Sequence, residues 1–449
     1  MATTSIETVV ERERVGALQA RIVLLTTLAL IVDGFDIQAI SFASPVLLKE
    51  WGLTKSELAP AMAAALIGMT IGAPIGGAIG DRIGRRPAMI FSALFFGIAT
   101  VATAWSSNLT ALTALRLISG LGFGALLPNA AALQAEWMPS RYRSYAIGLM
   151  IVGVPLGGMV GAAISARLIP ELGWRSCFVA GGAIAILLAA LLAIGLPESL
   201  RFLVRRPNGA AKVSALLNSA FGHGRFDGQT FEATEPAASS GTGQVLRSPN
   251  LRVTYGLSLA FFCTLLSGYA FFSWIPAMLS SMGLPLGVAI KGSFYFNLWG
   301  FAGVIVSAAL VSRLGSRVGL LLMGGGAILI TATTAYLISA GDASTTTMMV
   351  ALSAAGAALT GLQAGLYALA ANAYPTECRS TGVGMVAGVG RAGSIVSAFA
   401  GGALLSFAGG EANFFLFVAA VLAVGTIGVL VVNRHTRPSR ANGQRWNAG

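Results

Sequence analysis

Apolar runs long enough to cross a bilayer recur about twelve times along this chain, over 22–44, 57–80, 88–105, 109–136, 144–168, 176–196, 252–281, 289–311, 318–340, 347–371, 381–407 and 412–432. A helix rises about 1.5 Å per residue, so each run covers a hydrocarbon core of about 30 Å. Lipid offers the backbone no hydrogen-bond partner, and runs of this length therefore have to be helices. The expected fold is an all-α membrane protein with twelve transmembrane helices. Composition points the same way: 55% of the 449 residues are hydrophobic and 10% are charged, against about 25% charged in soluble domains.

A formal charge of +12 would suggest nucleic acid in a soluble protein, but here the positions of the charges decide. Arg12, Arg14 and Arg21 precede the first run, Arg82, Arg85 and Arg86 follow the second, and Arg141 and Arg143 follow the fourth. Arg201, Arg205, Arg206, Lys212 and Arg225 lie between the sixth and seventh runs, Arg313 and Arg317 follow the eighth, and Arg379 follows the tenth. Arg434, Arg437, Arg440 and Arg445 close the chain. The opposite loops hold only a few cations, such as Lys49, Lys55, Arg167, Arg175 and Lys291. By the positive-inside rule both termini are cytoplasmic, and the basic partner is the bilayer of a cell's inner membrane rather than nucleic acid. The first run is too long and too polar at its centre for a cleaved signal peptide. Cys177, Cys263 and Cys378 have no CxxC spacing, so neither a disulfide framework, a zinc site nor any other cofactor is indicated.

Residues 197–250 are the long polar interruption, with Ala237 to Gly243 too small and polar to pack a core. They divide the chain into an N-terminal bundle over 1–196, a cytoplasmic linker, and a C-terminal bundle with its tail over 251–449. A short amphipathic helix from Ala211 to Phe221 is expected on the membrane face. The halves echo each other. Pro139-Ser140-Arg141-Tyr142-Arg143-Ser144 aligns with Pro375-Thr376-Glu377-Cys378-Arg379-Ser380, with Gly148 and Gly384 in the same register. Trp51-Gly52-Leu53 has a counterpart in Met282-Gly283-Leu284. Internal repeats of this kind mark transporters with a central binding site, and neither a signalling domain nor a nucleophile or metal constellation suggests a sensor or an enzyme.

Asp33 and Asp36 stand in the middle of the first run, in Asp33-Gly34-Phe35-Asp36. A charge near the bilayer centre costs roughly 2.5–3.5 kcal/mol on insertion scales, and such residues line polar cavities or carry protons. Two carboxylates one turn apart repel, and desolvation adds to the repulsion, so one of them should take up a proton near neutrality. Both histidines, His223 and His435, fall outside the runs, which leaves proton handling to carboxylates. The alternative is a structural site bonded to backbone or to Arg116. At about 1.5 Å per residue Asp33 and Asp36 lie about 18–22 Å from the cytoplasmic end of their helix, and Arg116 lies roughly 10 Å below the external end of the fourth. Arg391 lies roughly 16 Å from the cytoplasmic end of the eleventh helix, at a similar level. An arginine offers a bidentate fork to an organic carboxylate and stays charged at any working pH. Arg391 is the expected substrate partner and Arg116 the residue coupled to the proton site, with a structural ion pair as the competing reading.

Gly77-Ala78-Ile79-Gly80-Asp81-Arg82-Ile83-Gly84-Arg85-Arg86-Pro87, between the second and third runs, resembles the loop motif of the major facilitator superfamily, and Arg116-x-x-x-Gly120-x-Gly122-x-Gly124 resembles its helix-four motif. The resemblance spans nearly the whole chain and implies two pseudo-symmetric six-helix bundles. It also implies a cytoplasmic gate of Gly77, Asp81, Arg82, Gly84, Arg85 and Arg86, with Asp81 latching near Arg379. The second-half copy has Ser312 where Asp81 stands, so only the first half can form an acidic latch. Glu136, at the cytoplasmic end of the fourth run, is either a gate contact for the arginines or simply solvated. Pro197 to Leu203 reads as a helix terminator and linker anchor.

Asp33-Gly34-Phe35-Asp36-Ile37-Gln38, Glu136 to Arg143, and Tyr374-Pro375-Thr376-Glu377-x-Arg379-x-Thr381-Gly382-x-Gly384 together are similar to the aromatic acid:proton symporters. That resemblance implies uptake of an aromatic carboxylate such as a hydroxybenzoate with protons; a monomer is the separate expectation for assembly. A non-aromatic organic acid, such as a muconate or dicarboxylate, is the alternative. A drug/proton antiporter is disfavoured because Gly153-Val154-Pro155-Leu156-Gly157-Gly158 departs from the exporters' Gly-Pro-x-x-Gly-Gly in proline position. An aromatic ligand needs apolar faces and a few polar groups. Tyr269, Trp274, Phe296, Asn297, Gln363 and Tyr367 could supply them, or could simply pack between helices.

Overall fold

The computed structural model describes residues 3–207, 209–222, 224–233, 245–247, 250–375, 378–407 and 409–438. His223, the Ala237 to Gly243 stretch, Thr376, Glu377, Arg440 and Arg445 lie outside the described residues. The chain runs β1 (Thr3–Ser5), α1 (Ile6–Arg12), α2 (Ala17–Glu50), α3 (Lys55–Ile83), α4 (Arg85–Thr103), α5 (Leu109–Gly124) and α6 (Leu126–Trp137). It continues through α7 (Ser140–Leu172), α8 (Arg175–Gly195), α9 (Leu200–Val204), α10 (Gly209–Phe221) and β2 (Thr230–Glu232). The rest is α11 (Leu251–Ser281), α12 (Leu286–Ser339), α13 (Thr345–Ala373), α14 (Arg379–Leu404) and α15 (Gly410–Val431).

Among the described residues, 11 helices are long and apolar enough to cross a membrane, with α5 and α6 running on as one. The expected twelfth is inside α12, whose 54 residues would span about 80 Å if unbroken. Gly315 breaks it with φ 82 and ψ 161, so α12 supplies two crossings. Gly84, between α3 and α4, has φ 105 and ψ 151. Only glycine tolerates that backbone region, and the two positions are counterparts in the internal repeat. A second pair of counterparts closes α2 and α11 in the same way: Leu53 N–H donates to the Leu48 carbonyl at 3.0 Å and Leu284 N–H to the Leu279 carbonyl at 3.2 Å, the wide bond of a Schellman-type end.

The chain divides into two compact units, one of Met1–Ala43 with Ala64–Pro236 and the other of Ser44–Ala63 with Ala237–Gly449. The end of α2 and the first turns of α3 therefore belong to the second unit rather than to the 1–196 bundle. Lys55 Nζ donates to the Leu405 carbonyl at 2.9 Å and stands 3.9 Å from Glu411. Thr54 and Glu57 form a reciprocal capping box at the start of α3, with Thr54 N–H on Glu57 Oε2 at 2.8 Å and Glu57 N–H on Thr54 Oγ1 at 3.2 Å. Most of the expected linker instead folds with the first unit, as α9, α10 and β2.

Small residues set the helix contacts in each unit, as they must where lipid gives no hydrophobic advantage to association. In the first, Gly68 and Gly72 of α3 lie against the backbone of Leu117 and Leu121 of α5, and Gly120 and Gly124 return the contact on Ala65 and Met69. In the second, Gly303 of α12 meets Ala357 of α13 and Gly356 meets Phe296.

The N-terminal segment is strapped to the first unit by contacts between residues distant in sequence. β1 pairs in parallel with β2, Glu7 pairs with Arg201 at 3.0 Å, and Glu13 pairs with Arg225 at 2.8 Å. Glu11 accepts both the Ser140 N–H at 2.8 Å and the Ser140 hydroxyl at 2.7 Å, at the start of α7. Those bonds hold its carboxyl below the usual range, the side-chain bond contributing most. The expectation of an all-α chain thus applies to the spans, and a short parallel strand pair lies outside them.

Candidate functional site

In the first unit α2 presents Asp33 and Asp36, both buried. Arg116 of α5 is 0% exposed and commits its fork to Asp36. Its Nη1 donates to the two carboxylate oxygens, each at 2.9 Å, and its Nη2 donates to the Asp36 backbone carbonyl at 2.8 Å. Thr100 of α4 adds a hydroxyl donor to Asp36 Oδ1 at 3.0 Å. The guanidinium lies 5.7 Å from the Phe178 ring centroid of α8. Three helices thus meet at one carboxylate, with a fourth against the guanidinium that pairs with it. Gly34 makes the level possible, because a Cβ there would run into the Val154 carbonyl of α7.

Arg116 thus spends both of its terminal nitrogens on Asp36. A buried pair of this kind is costly to break, about 3–5 kcal/mol when one partner is removed, because the other is left charged in an apolar site. By sequence, two aspartates and one arginine occupy the middle of the first six spans, leaving one formal negative charge in excess. The Asp-Arg match was legible from depth. Thr100 was not, because nothing in the sequence separates it from a threonine that bonds back to its own helix, as Thr103 does with Ala99.

In the second unit Arg391 of α14 is half-buried, with no carboxylate in ion-pair range among the described residues. Gly390, next to it, packs against Phe261 of α11. Tyr367 meets Phe261 of α11 edge to face, centroids 4.8 Å apart. Gln363, one turn before Tyr367, is also partly exposed. Tyr269 stands edge-on to Phe272 at 5.5 Å. The other three sequence candidates are packed into the unit's interior. Trp274 donates its Nε1–H to the Ala398 carbonyl at 3.1 Å, Asn297 donates to the Ser293 carbonyl at 2.8 Å, and Phe296 lies 5.4 Å from both Phe271 and Phe272.

The loop motif in the first unit forms a charge network. Arg85 Nε bonds Glu136 Oε1 at 3.1 Å and Arg85 Nη2 bonds Asp81 at 3.2 Å, while Glu136 also accepts from the Ser199 hydroxyl. Glu136 is therefore a contact for the motif arginine and not a solvated surface group. Glu198 Oε1 receives the backbone N–H groups of Arg85, Arg86 and Ser199 at 2.9, 3.1 and 2.7 Å, serving the start of α4. That role lay hidden in the Pro197 to Leu203 segment, which read as an anchor without a stated partner. The Arg82 carbonyl accepts from Arg206 at 2.7 Å, and Arg86 Nη2 donates to the Ala193 carbonyl at 2.6 Å. Gly84 supplies the break before α4, Gly77 faces open space, and Arg379 opens α14 of the second unit as an exposed residue.

Comparison with known proteins places these features among transporters. Residues 26–342 match the sequence profile described as Major Facilitator Superfamily. The chain is 33% identical to the gallate transporter of Pseudomonas putida over 95% of its own length and 94% of the relative's. It is 33% identical to the 4-hydroxybenzoate transporter PcaK of the same organism, over 95% of each. The gentisate transporter of Corynebacterium glutamicum is 31% identical over 91% of this chain and 87% of that protein. Among solved structures, the xylose transporter XylE from E. coli, in a partially occluded inward open conformation, superposes with a TM-score of 0.73 at 16% identity, covering 94% of this chain and 99% of that one. At that identity the likeness carries the fold alone.

Proposed function

Because the chain belongs to the major facilitator superfamily, within its aromatic acid transporters, we propose that it takes up an aromatic carboxylate such as a hydroxybenzoate together with protons, by alternating access. It is a multi-pass membrane transporter and not an enzyme. The observation that carries the reading is the division of labour between the two embedded arginines. Arg391 has no carboxylate in ion-pair range among the described residues, and its neighbour Gly390 packs against Phe261, the ring that meets Tyr367, while Arg116 is committed to Asp36. A substrate carboxylate on the Arg391 fork, with its ring against Tyr367 and Phe261, satisfies both the charge and the apolar faces. Gln363, partly exposed one turn before Tyr367, is the side chain this reading assigns to a ring hydroxyl.

Proton coupling falls to the Asp33 and Asp36 pair. Arg116 compensates one of the two carboxylates, and a proton neutralises the charge in excess. Asp33 is the group that loads and unloads it, with Asp36 and Arg116 as the fixed countercharge. Both termini face the cytoplasm in this reading, on the positive-inside pattern.

The test is uptake into proteoliposomes of 4-hydroxybenzoate, gallate, gentisate, protocatechuate and benzoate under an imposed pH gradient, with muconate and a dicarboxylate as non-aromatic arms. Gradient-driven accumulation of an aromatic acid supports the proposal. Accumulation of the non-aromatic acids alone would overturn its aromatic part. Arg391→Gln should raise KM for the carried acid by roughly tenfold to a hundredfold, the loss of a charge-assisted hydrogen bond.

A further inference from the structure

Below the first unit's charge network lies a cavity of about 590 Å³ between the starts of α2 and α4, the end of α8, and α10. Three cations line it from three elements: Arg21 of α2, Arg86 of α4 and Lys212 of α10. Among the described residues none of the three is in ion-pair range of a carboxylate. Glu198 also lines the cavity, but its Oε1 is taken by the three backbone N–H groups already described. Arg86 carries the most telling atom. Its Nη2 is satisfied by the Ala193 carbonyl, yet its Nε is buried without an acceptor. A buried donor left in that state costs about 1–3 kcal/mol, more for a charged group, so the site is short of an anion.

The remaining walls say what kind of anion. Ile194, in the last turn of α8, lines the cavity and is 85% exposed on the outer surface of the bundle. Leu216 of α10 lines it as well. The cavity therefore opens where a membrane span ends, with apolar side chains and three cations in the same wall. Inorganic phosphate in water has no use for the apolar side chains, whereas a lipid headgroup brings a phosphodiester and a glycerol-acyl junction together. Arginine and lysine near the membrane surface each gain about 1 kcal/mol from anionic lipid.

We propose that this cavity binds the phosphodiester headgroup of an anionic glycerophospholipid from the adjoining leaflet, with Arg86 as the inner donor and Arg21 and Lys212 at the rim. The site is separate from the transported substrate, and it ties α10 to the bundle through a lipid.

The experiment is native mass spectrometry of the full-length protein, titrated with phosphatidylglycerol or phosphatidylcholine of identical acyl chains. The wild type should retain phosphatidylglycerol selectively. The Arg21→Gln/Lys212→Gln double variant should lose roughly tenfold or more of that retention, with phosphatidylcholine retention and the thermal unfolding midpoint unchanged. Equal retention of the two lipids by the wild type, or undiminished retention by the double variant, would overturn the proposal. A third arm adds inorganic phosphate or glycerophosphoglycerol at concentrations matched to the lipid. If these displace the lipid one for one, the site takes a soluble phosphate and the lipid assignment fails. A variant whose midpoint falls is replaced by Arg21→Lys/Lys212→Arg, which keeps charge and should keep retention.

Discussion

At the scale of single residues, the two aspartates of α2 differ in what surrounds them, and substitution should separate them. Asp36→Asn leaves Arg116 buried and charged with its countercharge and one of its three acceptors gone, and should lower stability by about 3–5 kcal/mol, read as a reduced unfolding midpoint in detergent. Adding Arg116→Gln should recover part of that loss, since removing both charges is less costly than removing one. Asp33→Asn leaves the Asp36–Arg116 pair intact and should fold normally. It should abolish accumulation driven by a pH gradient while preserving counterflow of labelled against unlabelled substrate. Unchanged gradient-driven accumulation in Asp33→Asn would sink its role as the proton carrier. Much of this cluster was legible in the sequence, because a charge in an apolar run needs a partner and helix rise gives its depth. The allocation of Arg116 to Asp36, and the hydroxyl of Thr100, were not legible, because they depend on helix rotation about axes that one sequence does not specify.

At the scale of elements, apolar length defines the spans and glycine defines where they stop. Gly315 divides α12 and Gly84 divides α3 from α4 with the same left-handed, extended backbone. Gly315→Ala should cost about 1–3 kcal/mol in the unfolding of the second unit, because any Cβ strains that conformation. The N-terminal strap escaped the sequence reading altogether. Its strands are three residues long and its acids read as a charged flank, since the partners that give them meaning lie more than a hundred residues away. The strap should respond to acid in a defined direction. The Ser140 bonds depress the carboxyl of Glu11, so their contribution is complete above the ordinary glutamate range, near pH 4.5, and is lost as pH falls through the depressed folded value. Limited proteolysis at Arg12 and Arg14 should accelerate on acidification through that window in the wild type. In Glu11→Gln it should already be fast at neutral pH.

At the scale of the whole molecule, the charge arithmetic of the embedded residues bears on energetics. One excess negative charge in the first six spans suits one proton per turnover, and a proton carried with a monoanion moves no net charge. Uptake should then follow the pH gradient and ignore a potassium-valinomycin potential. A second proton would add about 2.3 kcal/mol of driving force per 100 mV, so accumulation on a potential alone would exclude one-to-one coupling. The twelve crossings were legible from hydropathy and the internal repeat from matched turns, yet the boundary between units was not. The turns around Lys55 fold with residues some 350 positions later, through contacts that no local pattern encodes.

The bond between Glu198 and the start of α4 spans 113 residues of chain. A ribosome makes α4 long before it makes Glu198, so the newborn helix enters the bilayer with its first amides served by water alone. They acquire their acceptor only after three more crossings of the first half have been threaded. This end of the first unit is therefore completed last, when its sixth span and the segment after it have been made.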